Sequence, residues 1–363
     1  MSSLSGPGPT SSYNQSSVTL NSTSCEMADQ SAHIFFMVIY MLTFIVGLIL
    51  NGFTLRVYFC GRQRQLSSCI TIYLKNLAAA DFLISLCLPI RILNYASNAV
   101  PIRQIYCNFG ASAFYLNMYA SIMFMGYIAA NRYLKIVHPV ETHFLQTVRA
   151  AHIISVATWG LLLAMTGTYV LISVLTQEPM DSVPVRVSCD VLHSKQLSVF
   201  YKIIHSCSAA IFLCVLVSLI FFYYSTSRRL SLAQQRQPTS SHSKKLAKSR
   251  RNMLVLVSVF CVCFVPYHLV RVPYAFHKDK DCLFNRCLFY LKEITIMVSV
   301  LNVCLDPLIY FIFCKAFQAQ LGLRRTFSTT QTQTQVERRS SGGRMSSVRR
   351  TTLTPATKHI SVL

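Results

Sequence analysis

The sequence predicts an all-α membrane protein folded as a seven-transmembrane helix bundle, and three observations carry that prediction. Seven apolar segments are each long enough to cross a bilayer. Charged residues are scarce: 13% of the 363, beside 53% hydrophobic residues, where soluble proteins run at about a quarter charged. The basic residues that give the net charge of +22 gather in the flanks of the apolar segments. This balance excludes an ordinary cytosolic enzyme.

The segments fall at about 33–60, 69–96, 104–137, 150–175, 198–227, 250–277 and 288–313, where a spanning helix needs about 20 residues. The fifth is typical, with the uncharged run "IFLCVLVSLIFFYY". The third and seventh carry more polar residues, as helices lining a polar interior do. Helices are required because backbone groups in lipid must bond within their own segment. None of the segments alternates as a barrel strand would.

Sidedness follows from Lys and Arg in the short flanks. Residues 1–32 hold neither. They hold two N-glycosylation sequons, at Asn14 and Asn21, usable only on the luminal side. Eight basic residues from Arg228 to Arg251 separate segments five and six, and Lys315, Arg324 and Arg325 follow segment seven. An outer N-terminus and an inner C-terminus need an odd number of spans. The basic excess is therefore a cytoplasmic face rather than a nucleic-acid surface. Residues 1–32 are expected to be a disordered, glycosylated extracellular arm, 33–313 the bundle, and 326–363 a disordered low-complexity tail. The polar start shows no secretory signal peptide, so the first helix is expected to direct insertion.

Most of the 14 cysteines lie inside apolar spans and read as packing residues. On the outside, where oxidation is favoured, two bridges are expected: Cys107 to Cys189, and Cys25 to either Cys282 or Cys287. No set has the spacing of a zinc site, and no cofactor is expected.

The spans carry a dense run of motifs in order. Helix one has Gly47-x-x-x-Asn51, helix two Asn76-Leu77-Ala78-x-x-Asp81, and helix three ends in Asn131-Arg132-Tyr133. Helix four has the only Trp, Trp159. Helix six has Cys263-Phe264-Val265-Pro266, and helix seven Asp306-Pro307-Leu308-Ile309-Tyr310. Over about residues 33–325 the chain resembles the rhodopsin-like (class A) G-protein-coupled receptors. That resemblance implies a short amphipathic eighth helix at 314–325 that includes Phe317. It also implies a sodium and water pocket of Asp81, Ser121, Asn302 and Asp306; a hydrogen-bonded interior Asp81 without sodium is the plainer alternative. Pro266 and Pro307 kink their helices, which gives hinges for an inside-opening motion. Arg132 would then meet a G protein, with Tyr310 and one of Tyr223 or Tyr224 supporting the open state. Asn131 stands where Asp is usual and Phe264 where Trp is common. The first departure leaves Arg132 without its neighbouring carboxylate and implies higher basal signalling.

The stretches "CFVPYHLVRVPY", "FYLKEITIMVSVLNVCLDPLIYF" and "FYLNMYASI" look like the purinergic nucleotide receptors of the ADP and UDP-glucose group, with their orphan and lysophospholipid relatives. The spacing from Cys282 to Lys292 favours Cys282 as the partner of Cys25. Other features, the Asn131-Arg132 pair, "TGTYVLI" and "IIHSC", look more like the platelet-activating factor receptor.

Arg271, Lys292 and Arg91 sit near the outer ends of helices six, seven and two, where all three can project into one cavity. Guanidinium binds phosphate in a bidentate way and Lys adds a point charge, so an anionic ligand is expected. Lys292 pairing with Glu293 or with Asp281 at the rim, and Arg91 reaching the outer interface, are the plainer alternatives. By resemblance Tyr115, Tyr119, His205, Tyr267 and His268 line the same space; for His205 and His268 polar packing is the plainer alternative. A nucleotide and a lysophospholipid share phosphate; the nucleotide is slightly favoured.

An opsin is excluded, because Val300 stands at the position of its retinal lysine. A transporter or channel would show internal repeats or charged pore rings, and no nucleophile–base set suggests an enzyme. Serines and threonines of the tail, from Ser328 to Thr352, suit receptor kinases and then arrestins. Ser361-Val362-Leu363 suits a PDZ groove. An inhibitory heterotrimeric G protein is expected by analogy.

Overall fold

The computed structural model describes residues 30–60, 68–97, 99–137, 144–176, 189, 194–236, 241–276 and 282–313. The chain divides into two units, Met1–Ile309 and Tyr310–Leu363. The described part of the second unit is the final turn of a helix ending at Phe313. The expected amphipathic segment at 314–325, both glycosylation sites, Cys25 and the tail lie outside the described residues.

Seven helices are long and apolar enough to cross a membrane. They are α1 (Gln30–Cys60), α2 (Cys69–Ala96), α3 (Val100–Val137), α4 (Val148–Leu175), α5 (Lys195–Arg236) and α6 (Ser241–Phe276). The last, α7, runs as Cys282–Val300 and Asn302–Phe313 with a turn at Leu301 between its halves. Among the described residues there is no strand. The fold is the seven-helix bundle that the apolar segments predict. α5 and α6 run nine residues beyond the expected ends on their basic side, because hydropathy sees only the part of a helix that lies in lipid.

Helices α1 and α2, α2 and α3, α5 and α6, and α6 and the first half of α7 pack as neighbours, while α3 touches α4, α5 and α6 as well. Burial separates the roles. In its most apolar stretch α3 is 67% buried and forms the axis, whereas α4 is 17% buried and turns its apolar side chains outward. The outward face includes Val156, Leu161, Leu163 and Leu171, as lipid contact requires. The start of α3 widens into a π turn, Tyr106–Gly110, which carries Cys107 into its disulfide with Cys189. Thr147 caps α4 by accepting a hydrogen bond from the Ala150 amide at 3.2 Å.

Polar side chains tie the helices together at mid-depth. Pro307 has no N–H for the carbonyl of Val303, four residues back. The Asn51 amide donates to that carbonyl at 2.9 Å, and to Gly47 O at 3.1 Å. The contact requires close approach of α1, and Gly47 permits it: a Cβ there would lie 2.5 Å from Val303 Cγ1 and 2.7 Å from Ser85 Oγ. On the other side, Trp159 Nε1 donates to Asn76 Oδ1 at 3.0 Å, and Asn76 Nδ2 donates to Ser155 at 3.2 Å, joining α4 to α2.

Gly47→Val should force α1 away from α2 and α7 and break the Asn51–Val303 bond, a loss of about 3 kcal/mol. The thermal midpoint of the purified protein checks this. Gly52→Ala, whose Cβ would meet only Phe82 at 3.5 Å, should leave the midpoint unchanged.

Candidate functional site

The half of the bundle that contains the Cys107–Cys189 bridge holds a buried set of charges framed by aromatic rings. Arg91, Arg271, Lys292 and Glu293 are each 7% exposed or less. Burying such charges is costly unless they are paired. The carboxylate of Glu293 accepts from Arg91 at 2.7 Å and from Lys292 at 3.1 Å, and Tyr95 donates to the same carboxylate. Arg91 is held further by the rings of Tyr40, at 4.9 Å, and Phe114, at 5.6 Å. Glu293 thus occupies Arg91 and shares Lys292. The pairing of Lys292 with Glu293, the plainer alternative in the sequence, is present, and Arg91 is buried rather than reaching the interface.

Arg271 lies in a different setting. Its guanidinium donates to His205 Nε2 at 3.2 Å, which makes that nitrogen the acceptor and His205 the neutral Nδ1–H tautomer. The rings of Tyr115, Tyr201 and Tyr274 lie 5.3–5.5 Å from the guanidinium carbon. Cation–π contact of this kind stabilises a desolvated guanidinium by about 2 kcal/mol. Lys292 Nζ also lies over the Tyr274 ring, at 4.7 Å. The two cations therefore converge on one ring and are at most about 10 Å apart.

His268 is held at both ring nitrogens. A carbonyl oxygen can only accept, so the 2.8 Å contact with Phe264 O puts the proton on Nδ1. Nε2 then accepts from Tyr119 at 3.1 Å. The imidazole stacks on Phe212 with centroids 3.8 Å apart. With both nitrogens engaged, His268 joins α3 to α5 and α6 as a packing group. Tyr267 is fully buried beside it, its ring 6.3 Å from Tyr115. Tyr115, Tyr119 and His205 line a cavity of about 70 Å³ between α3, α4 and α5. Its remaining wall is mostly apolar and includes Leu162, Met165, Ile204 and Ile211.

Deeper in the bundle, Ser121 donates to Asp81 Oδ1 at 3.1 Å. Asp81, Asn302 and Asp306 are completely buried. The carboxylate oxygens of Asp306 and both amide atoms of Asn302 have no hydrogen-bond partner among the described residues. Such orphaned groups are costly in a dry interior, and an oxygen-rich set of this kind fits a hard cation such as sodium with its waters. Phe264, also fully buried, packs edge-on against Phe260 at 5.3 Å, and Phe260 stacks on Phe212. An aromatic path therefore links the layer of His268 to the α6 segment just before Pro266.

At the far end of α3, Asn131 is buried and its amide atoms have no partner among the described residues. Arg132 is half-buried next to it. Tyr133 stacks on Phe222 of α5 at 4.8 Å. Of the two expected bridges, Cys107–Cys189 forms. Cys287 is an exposed free thiol; the expected bridge from Cys25 to Cys282 lies outside the described residues.

Sequence reasoning gave Glu293 only as a possible partner of Lys292 and passed over Tyr201 and Tyr274. A carboxylate adjoining a buried lysine was a usable signal for the first. The two tyrosines gave none, because their ring positions depend on how α5 and α6 are rotated. The α4 wall of the cavity was equally silent, since Leu162 and Met165 look like any lipid-facing residues.

A family model described as 7 transmembrane receptor (rhodopsin family) matches residues 51–310. Curated relatives agree. Purinoceptor 14 of Bos taurus is 35% identical over 78% of this chain and 83% of its own length. G-protein coupled receptor 87 of Mus musculus is 33% identical over 85% and 87%. Purinoceptor 13 of Rattus norvegicus is 31% identical over 83% and 88%. With seven spanning helices and this match across the bundle, the chain belongs to the rhodopsin family of seven-transmembrane receptors, on the branch that includes these purinoceptors, and is not an enzyme.

Proposed function

We propose that this receptor binds an extracellular, phosphate-bearing ligand, a nucleotide or nucleotide sugar, and activates a heterotrimeric G protein of the inhibitory type. The supporting observation is the convergence of Arg271 and Lys292 on the ring of Tyr274. Two buried like charges set against one ring repel each other. An anion between them relieves the repulsion, accepting charge-assisted hydrogen bonds from both. The tyrosine rings around Arg271 offer faces for a base. The names of two of the relatives, as purinoceptors, point the same way.

Binding would draw α6 and α7 together on the outside. α6 carries Pro266 and α7 carries Pro307, whose missing hydrogen bonds make each helix easy to bend. Motion of α6 about Pro266 would open the inner face and bring Arg132 to the G protein. A sodium ion held by Asp81, Ser121, Asn302 and Asp306 would favour the closed state. Residues 1–32 would lie outside and the tail inside. Receptor kinases and arrestin would act on the tail, and a PDZ protein on Ser361-Val362-Leu363.

A second reading has its own supporting observation. The cavity between α3, α4 and α5 begins at Tyr115 and His205 and continues along Leu162, Met165 and Ile211. That wall suits the acyl chain of a lysophospholipid or platelet-activating factor with its phosphate at Arg271.

In a cell assay of G-protein activation at matched surface expression, Arg271→Ala should lower potency for the active phosphate ligand about 10- to 100-fold. Met165→Trp, which fills the apolar wall, should leave a nucleotide response intact and abolish a lipid response. A full response in Arg271→Ala would overturn the pocket assignment. Without ligand, Asn131→Asp should lower basal signalling about threefold or more by placing a carboxylate beside Arg132. Replacing sodium by choline should raise basal signalling in wild type but not in Asp81→Asn; equal responses would count against the sodium site.

A further inference from the structure

Two grooves flank the basic ends of α5 and α6. The larger, about 960 Å³, lies between the end of α3, the last turns of α5 and the start of α6. Its wall changes character along α5. Phe221, Tyr224 and Arg228 follow one another at three- and four-residue spacing, and so share a face. Phe221 is 52% and Tyr224 65% exposed. Tyr133 closes the apolar end, with its ring 5.6 Å from Phe221. Arg229 and Arg236, seven residues apart and again on one face, line the far end.

The length of α5 sets the depth of this groove. Its 42 residues span about 63 Å, twice the roughly 30 Å of the hydrocarbon layer. The uncharged stretch ends in Phe221-Phe222-Tyr223-Tyr224, and Arg228 follows. Aromatic rings of this kind sit at the boundary between the acyl chains and the headgroups. The arginines, a turn and more further along α5, therefore lie at the phosphates of one leaflet and beyond it, with the aromatic wall against the first carbons of the acyl chains. The chain from residue 191 to residue 278 has no Asp or Glu, so no carboxylate of α5 or α6 competes for these guanidinium groups.

We infer that this groove binds a phosphoinositide of the inner leaflet. Its acyl chains would lie against Tyr133, Phe221 and Tyr224, and its ring phosphates against Arg228, Arg229 and Arg236. Three guanidinium groups in one groove exceed what a single-phosphate headgroup can satisfy, whereas a multiply phosphorylated inositol ring offers each an acceptor. The occupied groove would fasten the ends of α3 and α5, which are beside the Asn131-Arg132-Tyr133 segment. The assignment to the inner leaflet rests on the sidedness proposed above; the binding itself does not.

Purified full-length receptor in nanodiscs of phosphatidylcholine with phosphatidylserine or phosphatidylinositol 4,5-bisphosphate tests this, with bound lipid counted by native mass spectrometry. Nanodiscs present lipid to both faces, so a wrong sidedness leaves the result unchanged. Retention of the bisphosphate should fall about fivefold per arginine removed in Arg228→Gln, Arg229→Gln and Arg236→Gln together. Lys244→Gln, Lys248→Gln and Arg251→Gln, which remove equal charge from the smaller groove, should retain it. Equal loss in both variants would reduce the effect to a diffuse field. Equal retention in both would overturn the site, as would phosphatidylserine holding as firmly as the bisphosphate. Unchanged lipid retention with lost G-protein activation in the arginine variant would assign the groove to a protein partner instead.

Discussion

A single carboxylate organises the buried charges in the half of the bundle that holds the Cys107–Cys189 bridge. Glu293 accepts from Arg91 and Lys292 and lets α2 and α7 carry cations where lipid surrounds the bundle. Removing one member of such a buried set typically costs about 3–5 kcal/mol, because the remaining charge is left without a partner. The pairing also differentiates the cations. Arg91 is held within its aromatic box, while Lys292, besides its pair with Glu293, lies over the rings of Tyr274 and Phe289.

The same accounting applies at mid-depth. Pro307 leaves Val303 O without its backbone donor, and Asn51 supplies one from α1. That bond exists because Gly47 lets the helices approach within what a methyl group would occupy. A proline that makes α7 easy to bend is thus held by a side chain from another helix.

The bundle was legible in the sequence because membrane spans are a matter of length and composition. The second helix was read at its observed bounds, 69–96, and the others within a few residues on the apolar side. The extra turns of α5 and α6 were not legible, since they are polar helix projecting from the membrane. The break at Leu301 was also hidden, as no Gly or Pro marks it. At the site, charges were easier to find than their partners. Arg271 and Lys292 stood out as cations in apolar helices. The consumption of His268 by Phe264 O, Tyr119 and Phe212 depends on helix rotation, which residue spacing leaves open. Disulfide partners fell between these cases: Cys107 and Cys189 were placed by sidedness alone.

The central claim is that Arg271 and Lys292 act as one anion site across the Tyr274 ring. A double-mutant cycle on ligand potency tests it most directly, using Arg271→Gln, Lys292→Gln and the pair, each at matched surface expression. If both cations hold the same anion, the pair should cost clearly less than the sum of the singles, with a coupling of about 1–3 kcal/mol. Strict additivity would contradict the account, since it would place the two residues in separate sites.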